Sequence, residues 1–240
     1  MGVLRRAVRP VARRVALFAF VAVTALTAAC TRPLTPNETA VAKSLFGDTL
    51  DTGAVRVTAG IGVLPLPRPK TGAVVGGAGP GKVRKAPEGL CTRKRSTQRH
   101  WRWPAAFVLG NTVFFSYDFY RADSFAGFPE SAPFPVSVIM AHELTHVWQW
   151  QNRARTGYSI PESAGETLKR VDPYWFTTGP RAEFLKMGFE QQGAMVQDFT
   201  CYALFDPRNP KLGELAAILR PVLPVDGFLA RLRAGRQAGR

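Results

Sequence analysis

Val136-Ser137-Val138-Ile139-Met140-Ala141-His142-Glu143-Leu144-Thr145-His146-Val147-Trp148-Gln149-Trp150-Gln151 is the stretch on which the reading of this chain turns. No glycine or proline interrupts it as far as Arg153, and Pro135 precedes it as a first-turn residue, so the pattern predicts a helix over 136–153. The helix is apolar on most sides, and such a helix belongs in a core. At its centre stands the pattern H-E-x-x-H. His142 and His146 are four residues apart and share a face, so both imidazoles can meet one metal ion. Glu143 follows the first histidine and can reach a water at that ion as a general base. The chain has three histidines, and two of them are here, which makes accidental spacing less credible. Burying two histidines and a glutamate is costly unless something compensates them, and a metal ion does. Histidines merely hydrogen-bonded to their neighbours are the bland alternative.

A zinc ion in such a site takes three protein ligands and a water. The extended motif with a third histidine needs a glycine three residues after His146 and a histidine three further on. Gln149 and Asn152 stand there, so the third ligand lies elsewhere. His100 is the remaining histidine, in a basic stretch far upstream. A glutamate on a second helix is the other solution. Arg181 to Phe205, between Gly179-Pro180 and Asp206-Pro207, is expected to be that helix. Within it Glu190, Ala194 and Asp198 share one face, with Cys201 further along. Glu190 is the assigned third ligand, because its neighbours Phe189, Ala194, Met195 and Phe199 are apolar. Glu183 is the main competitor, and Glu162 and Glu166, in the intervening loop, are weaker ones. Asp198 is either a residue that orients a ligand by a hydrogen bond or an ordinary surface carboxylate. Tyr158, Tyr174 and Tyr202 could each donate to an oxyanion, and the spacing selects none.

Ala141-His142-Glu143-Leu144-Thr145-His146-Val147-Trp148-Gln149, the later Glu190-Gln191-Gln192 and the upstream Ala106-Phe107-Val108-Leu109-Gly110-Asn111-Thr112-Val113-Phe114-Phe115 together resemble a group of minimal bacterial zinc-metallopeptidase-like domains, some described as Vgr-related. The resemblance spans Trp103 to Phe205. It implies a gluzincin-like site with His142, His146 and Glu190 on Zn2+ and Glu143 as base. It also implies an α+β fold: a motif helix, a second ligand helix and a short β-sheet with an edge strand. Such domains usually carry an aspartate four residues after the ligand glutamate, and this chain has Ala194 there. Phe107 to Tyr120, rich in valine and aromatic residues, reads as the strand, with Gly110-Asn111 as a turn or bulge. By analogy with zincins that strand would hold extended substrate, and otherwise it is structural.

The first fourteen residues carry five arginines and no acid, and Val15 to Ala29 is an apolar run ending in small residues. This is the pattern of a secretory signal over 1–29. Cys30 follows at once, in the manner of a bacterial lipobox, although Leu26 stands four residues before it where three is usual. The reading is lipidation at Cys30 and a membrane-anchored cell-envelope protein, or a periplasmic or secreted one if the thiol stays bare. Cys91 and Cys201 then form an even pair in an oxidising compartment, either bridged or as two buried thiols.

The net charge is +15, and removing the five signal arginines leaves about +10. Lys82, Arg84, Lys85, Arg93, Lys94, Arg95, Arg99 and Arg102 crowd one stretch. An anionic membrane or envelope polymer suits an exported basic surface, while export argues against nucleic acid. Residues 30–90 read as a lead-in followed by a Gly/Pro-rich segment, 91–225 as the metallopeptidase-like domain and 226–240 as a basic tail, with short helices at Leu212–Leu219 and Phe228–Leu232. The functional expectation is a zinc metallohydrolase acting on a peptide or protein. The alternative is a non-catalytic envelope lipoprotein with a structural or degenerate zinc site.

Overall fold

The computed structural model describes residues 31–59, 66–69 and 89–238. The signal segment, Cys30, and Lys82, Arg84 and Lys85 of the Gly/Pro-rich stretch lie outside the described residues. The chain divides into two units, 1–32 and 33–240. Of the first, only the two-residue strand Thr31–Arg32 is described. The second is an α+β unit built around one helix.

Helix α1 (Pro36–Phe46) starts at Thr35, whose hydroxyl accepts from the Glu38 amide while the Glu38 carboxylate accepts from the Thr35 amide. Strands β1 (Arg56–Ala59), β4 (Ala106–Leu109) and β5 (Thr112–Phe115) form a sheet in the order β1-β5-β4. β1 runs parallel to β5, and β4 pairs antiparallel to it with Leu109 opposite Thr112. The expected strand is therefore a hairpin over 106–115 that turns at Gly110-Asn111, as the sequence allows, and 116–120 is not strand. Gly110 breaks it at φ +61°, a conformation that suits glycine. β4 is the edge, and it packs beside the motif helix. A separate antiparallel pair joins β2 (Leu66–Pro69) to β3 (Arg99–Arg102), the strand that contains His100.

Helix α2 (Val136–Gln151) is the axis of the core, buried almost continuously from Val136 to Gln149. It stops two residues short of the expected end. The Asn152 side chain turns back to the carbonyls of Trp148 and Thr49, at 2.9 and 2.8 Å, and a single turn, α3 (Arg153–Thr156), follows and closes at Gly157. Helix α4 (Ile160–Lys169) begins at Ser159, whose hydroxyl accepts from the Glu162 amide. Glu162 and Glu166 are thus helical, not loop residues. The second ligand helix, α5 (Phe189–Phe205), starts eight residues later than the sequence suggests. Phe184–Lys186 is a 3-10 turn, Met187 is extended, and the Gly188 amide donates to Gln191 Oε1 at 2.9 Å, which opens a new helix there.

Two further helices close the core, α6 (Pro210–Leu219) and α7 (Val225–Ala238). The C-terminal stretch expected to be a basic tail is helical over most of its length. Val225, Phe228 and Leu232 are buried against the core while Arg231 and Arg233 face solvent, an amphipathic division that fixes the helix in place. Among the described residues no helix is long and apolar enough to cross a membrane.

Candidate metal centre

Helices α2 and α5 pack along each other and bring the two halves of the site together. His142 Nε2 lies 3.1 Å from His146 Nε2, and Glu190 Oε2 lies 3.3 Å from the first and 3.5 Å from the second. One ligand atom from each residue falls within 4.8 Å of the other two, a grouping that could hold a metal ion. All three residues are buried, as is Glu143. Glu183, the competitor for Glu190, is exposed and pairs with Lys186. Glu166 instead serves the site indirectly. Its carboxylate accepts from the Glu190 amide at 3.1 Å and so holds the start of α5.

The donor set fits a divalent cation on its own chemistry: two imidazole nitrogens and a carboxylate oxygen converge in a buried place where little solvent reaches them. Burial holds the His142 pKa down to about 4. Burial acts the same way on His146 but is outweighed by the Glu190 carboxylate, with help from Glu143 and Gln149, and the ring is pushed up to about 9. Burial would raise Glu190. The His146 charge and hydrogen bonds from both imidazoles instead keep its carboxyl well below the usual range.

Several contributors carry no signal in the motif itself. Thr167, from α4, donates to Glu190 Oε1 at 3.4 Å. Gln149 Oε1 lies 2.8 Å from His146 Nδ1. Gln149 and Thr167 thus make the orienting contacts expected of Asp198, whose carboxylate is taken up by Arg93 through two bonds of 3.0 and 2.7 Å. Arg93 is correspondingly no solvated surface charge. Cys91 and Cys201, close in sequence to Arg93 and Asp198, are joined by a disulfide. Of the three tyrosines, Tyr174 packs edge-on to His142 at 5.7 Å and Tyr158 lies 6.3 Å from the His146 ring, whereas Tyr202 belongs to the core. Burial raises the Tyr158 pKa, so its hydroxyl keeps its proton and remains a donor.

Gly193 is the least expected member. A Cβ built there would stand 2.8 Å from His142 Cε1, 2.9 Å from Nε2 and 3.0 Å from Nδ1. The glycine is what lets α5 approach the imidazole closely enough for Glu190 to reach it. Gly193→Ala is expected to displace the His142 ring, at an overpacking cost of about 1–3 kcal/mol. A thermal melt together with a metal titration checks it. Unchanged values in both would mean that the ring has room to yield.

The fold and site together define an α+β domain with a buried His-His-carboxylate group that could hold a metal ion. No family model and no curated protein matches the chain. Among solved structures, the effector domain of Pseudomonas aeruginosa VgrG2b is similar at 22% identity and a TM-score of 0.45, over 80% of this chain and 83% of that one.

Proposed function

We propose that this chain is an exported, lipid-anchored zinc metallohydrolase whose reaction is the hydrolysis of a peptide or protein. The observation that carries the reading is the convergence of His142, His146 and Glu190 in a buried site with Glu143 beside the first ligand. Zinc held by these three residues would supply Lewis acidity at the scissile carbonyl. The other roles belong to the chain. Glu143 takes a proton from the attacking water and delivers it to the leaving amine. Tyr158, protonated and beside His146, and Tyr174, edge-on to His142, are the tyrosines near enough to donate to developing negative charge. Glu166 and Thr167 hold Glu190 from α4 and keep the carboxylate aimed at the histidines. Lipidation at Cys30, anchoring in the envelope membrane and contact of the basic surface with anionic envelope material belong to the same proposal and rest on the sequence.

The zinc content of the unlipidated chain, residues 31–240, is the direct test. About one zinc per chain is expected, with stoichiometric binding lost in Glu190→Ala, because two imidazoles alone leave the ion one ligand short. Zinc retained in full by that variant would move the third ligand elsewhere. No zinc in the parent, even after reconstitution, would end the metallohydrolase reading.

One observation favours the second reading, a structural or degenerate zinc site in a binding lipoprotein. His142, Glu143 and His146 are only 5–6% exposed, so the site opens narrowly to solvent. Zinc with all its coordination positions filled by protein would decide for it.

A further inference from the structure

Two fully buried glutamines lie between the ligand helices, and their hydrogen bonds admit one orientation. Gln149 Nε2 donates to the Phe189 carbonyl at 3.2 Å and to Gln192 Oε1 at 3.0 Å. Gln192 Nε2 donates in turn to the Met187 carbonyl at 2.9 Å. A backbone carbonyl only accepts, so each amide must turn its nitrogen toward it. Flipping Gln149 would set its oxygen against the Phe189 oxygen. Flipping Gln192 would do the same at Met187 and oppose two NH2 groups. Gln149 Oε1 therefore faces His146 Nδ1, 2.8 Å away, as an acceptor, and the ring nitrogen must carry a proton. Burial of both amides raises the cost of any other arrangement.

We propose that the relay Met187 carbonyl, Gln192, Gln149 fixes a proton on His146 Nδ1, so that Nε2 alone of that ring is free to take a metal ion. Gln149 and Gln192 are positioning residues, acting through His146. The inference rests on the His-His-Glu site proposed above. It deepens that reading by making the ligand tautomer a property of α2–α5 packing, present before the ion arrives. His142 differs: among the described residues its Nδ1 has no hydrogen-bond partner, so the relay acts on His146 alone.

The test combines nitrogen-15 NMR of the histidine rings with titration by Zn2+ alone, on the parent, Gln149→Leu and Gln149→Glu. In the parent a slowly exchanging His146 Nδ1 proton is expected both with and without Zn2+. In Gln149→Leu that protection is lost and Zn2+ affinity falls about ten- to a hundredfold. A glutamate keeps the acceptor, and when protonated it can still donate to the Phe189 carbonyl, so Gln149→Glu is expected to retain the protected proton. That variant guards against a leucine variant that merely fails to fold. A proton on Nε2 in the Zn2+-free, neutral ring, or Gln149→Leu with protection and affinity unchanged, would overturn the relay. If the parent takes up no Zn2+, the metal reading fails, while the Nδ1 proton still decides the relay by itself.

Discussion

Glu143→Gln is expected to keep its zinc and to lose roughly a hundred- to ten-thousandfold in hydrolytic rate. Glutamine matches glutamate in shape but cannot accept and return a proton at the reacting water. The atoms that could hold the ion belong to His142, His146 and Glu190, so under this proposal the ion should stay. The substitution also removes a charge that helps to raise the His146 pKa, which makes that ring easier to deprotonate and does not hinder metal binding. The measurement pairs zinc content with turnover of a peptide that the parent cleaves. Full activity in the variant would remove Glu143 as the base. Loss of zinc along with activity would make Glu143 part of the site's framework instead.

Removing the disulfide by Cys91→Ser with Cys201→Ser should lower the unfolding free energy by about 4 kcal/mol. The two cysteines are 110 residues apart, so the bond closes a long loop and removes much freedom from the unfolded chain. In a protein of this size that corresponds to a fall in Tm of about 10 °C. Zinc affinity should change far less, because His142, His146 and Glu190 sit on helices that pack directly on one another. Melting the oxidised parent beside the double variant checks the first claim, and coincident curves would refute it.

How much of this was legible in the sequence depends on whether a residue acts through its own helix or through a neighbour. The H-E-x-x-H spacing is a property of one helix, and it leads to His142, Glu143 and His146 without tertiary information. Glu190 follows with more effort, from the apolar residues around it. Gln192 and Gly193 act only across the α2–α5 contact, and Gln149, although it meets His146 within α2, is oriented by Gln192 and the Phe189 carbonyl across that same contact. Asp198 reads from sequence either as a residue that orients a ligand or as a surface carboxylate, and it is instead a buried partner of Arg93, which is distant in sequence. The start of α5 was misplaced for a simpler reason. The stretch after Pro180 is compatible with a helix, and the hydrogen bond from the Gly188 amide to Gln191 that opens a new one is a weak signal in print. Glu166 stands in the stretch expected to be a loop, and a helix runs through it.

His142 and His146 on one side and Glu190 on the other, the residues that could hold a metal ion, belong to two separate stretches of chain that the unfolded protein does not bring together. An ion held by all three residues would favour the folded state, and a ligand that binds that state alone adds about 2.7 kcal/mol to stability at a hundred times its Kd. Supply of the metal and survival of the protein are then a single variable. A cell short of the ion would hold less folded protein, exposed longer to proteolysis, as well as an idle site.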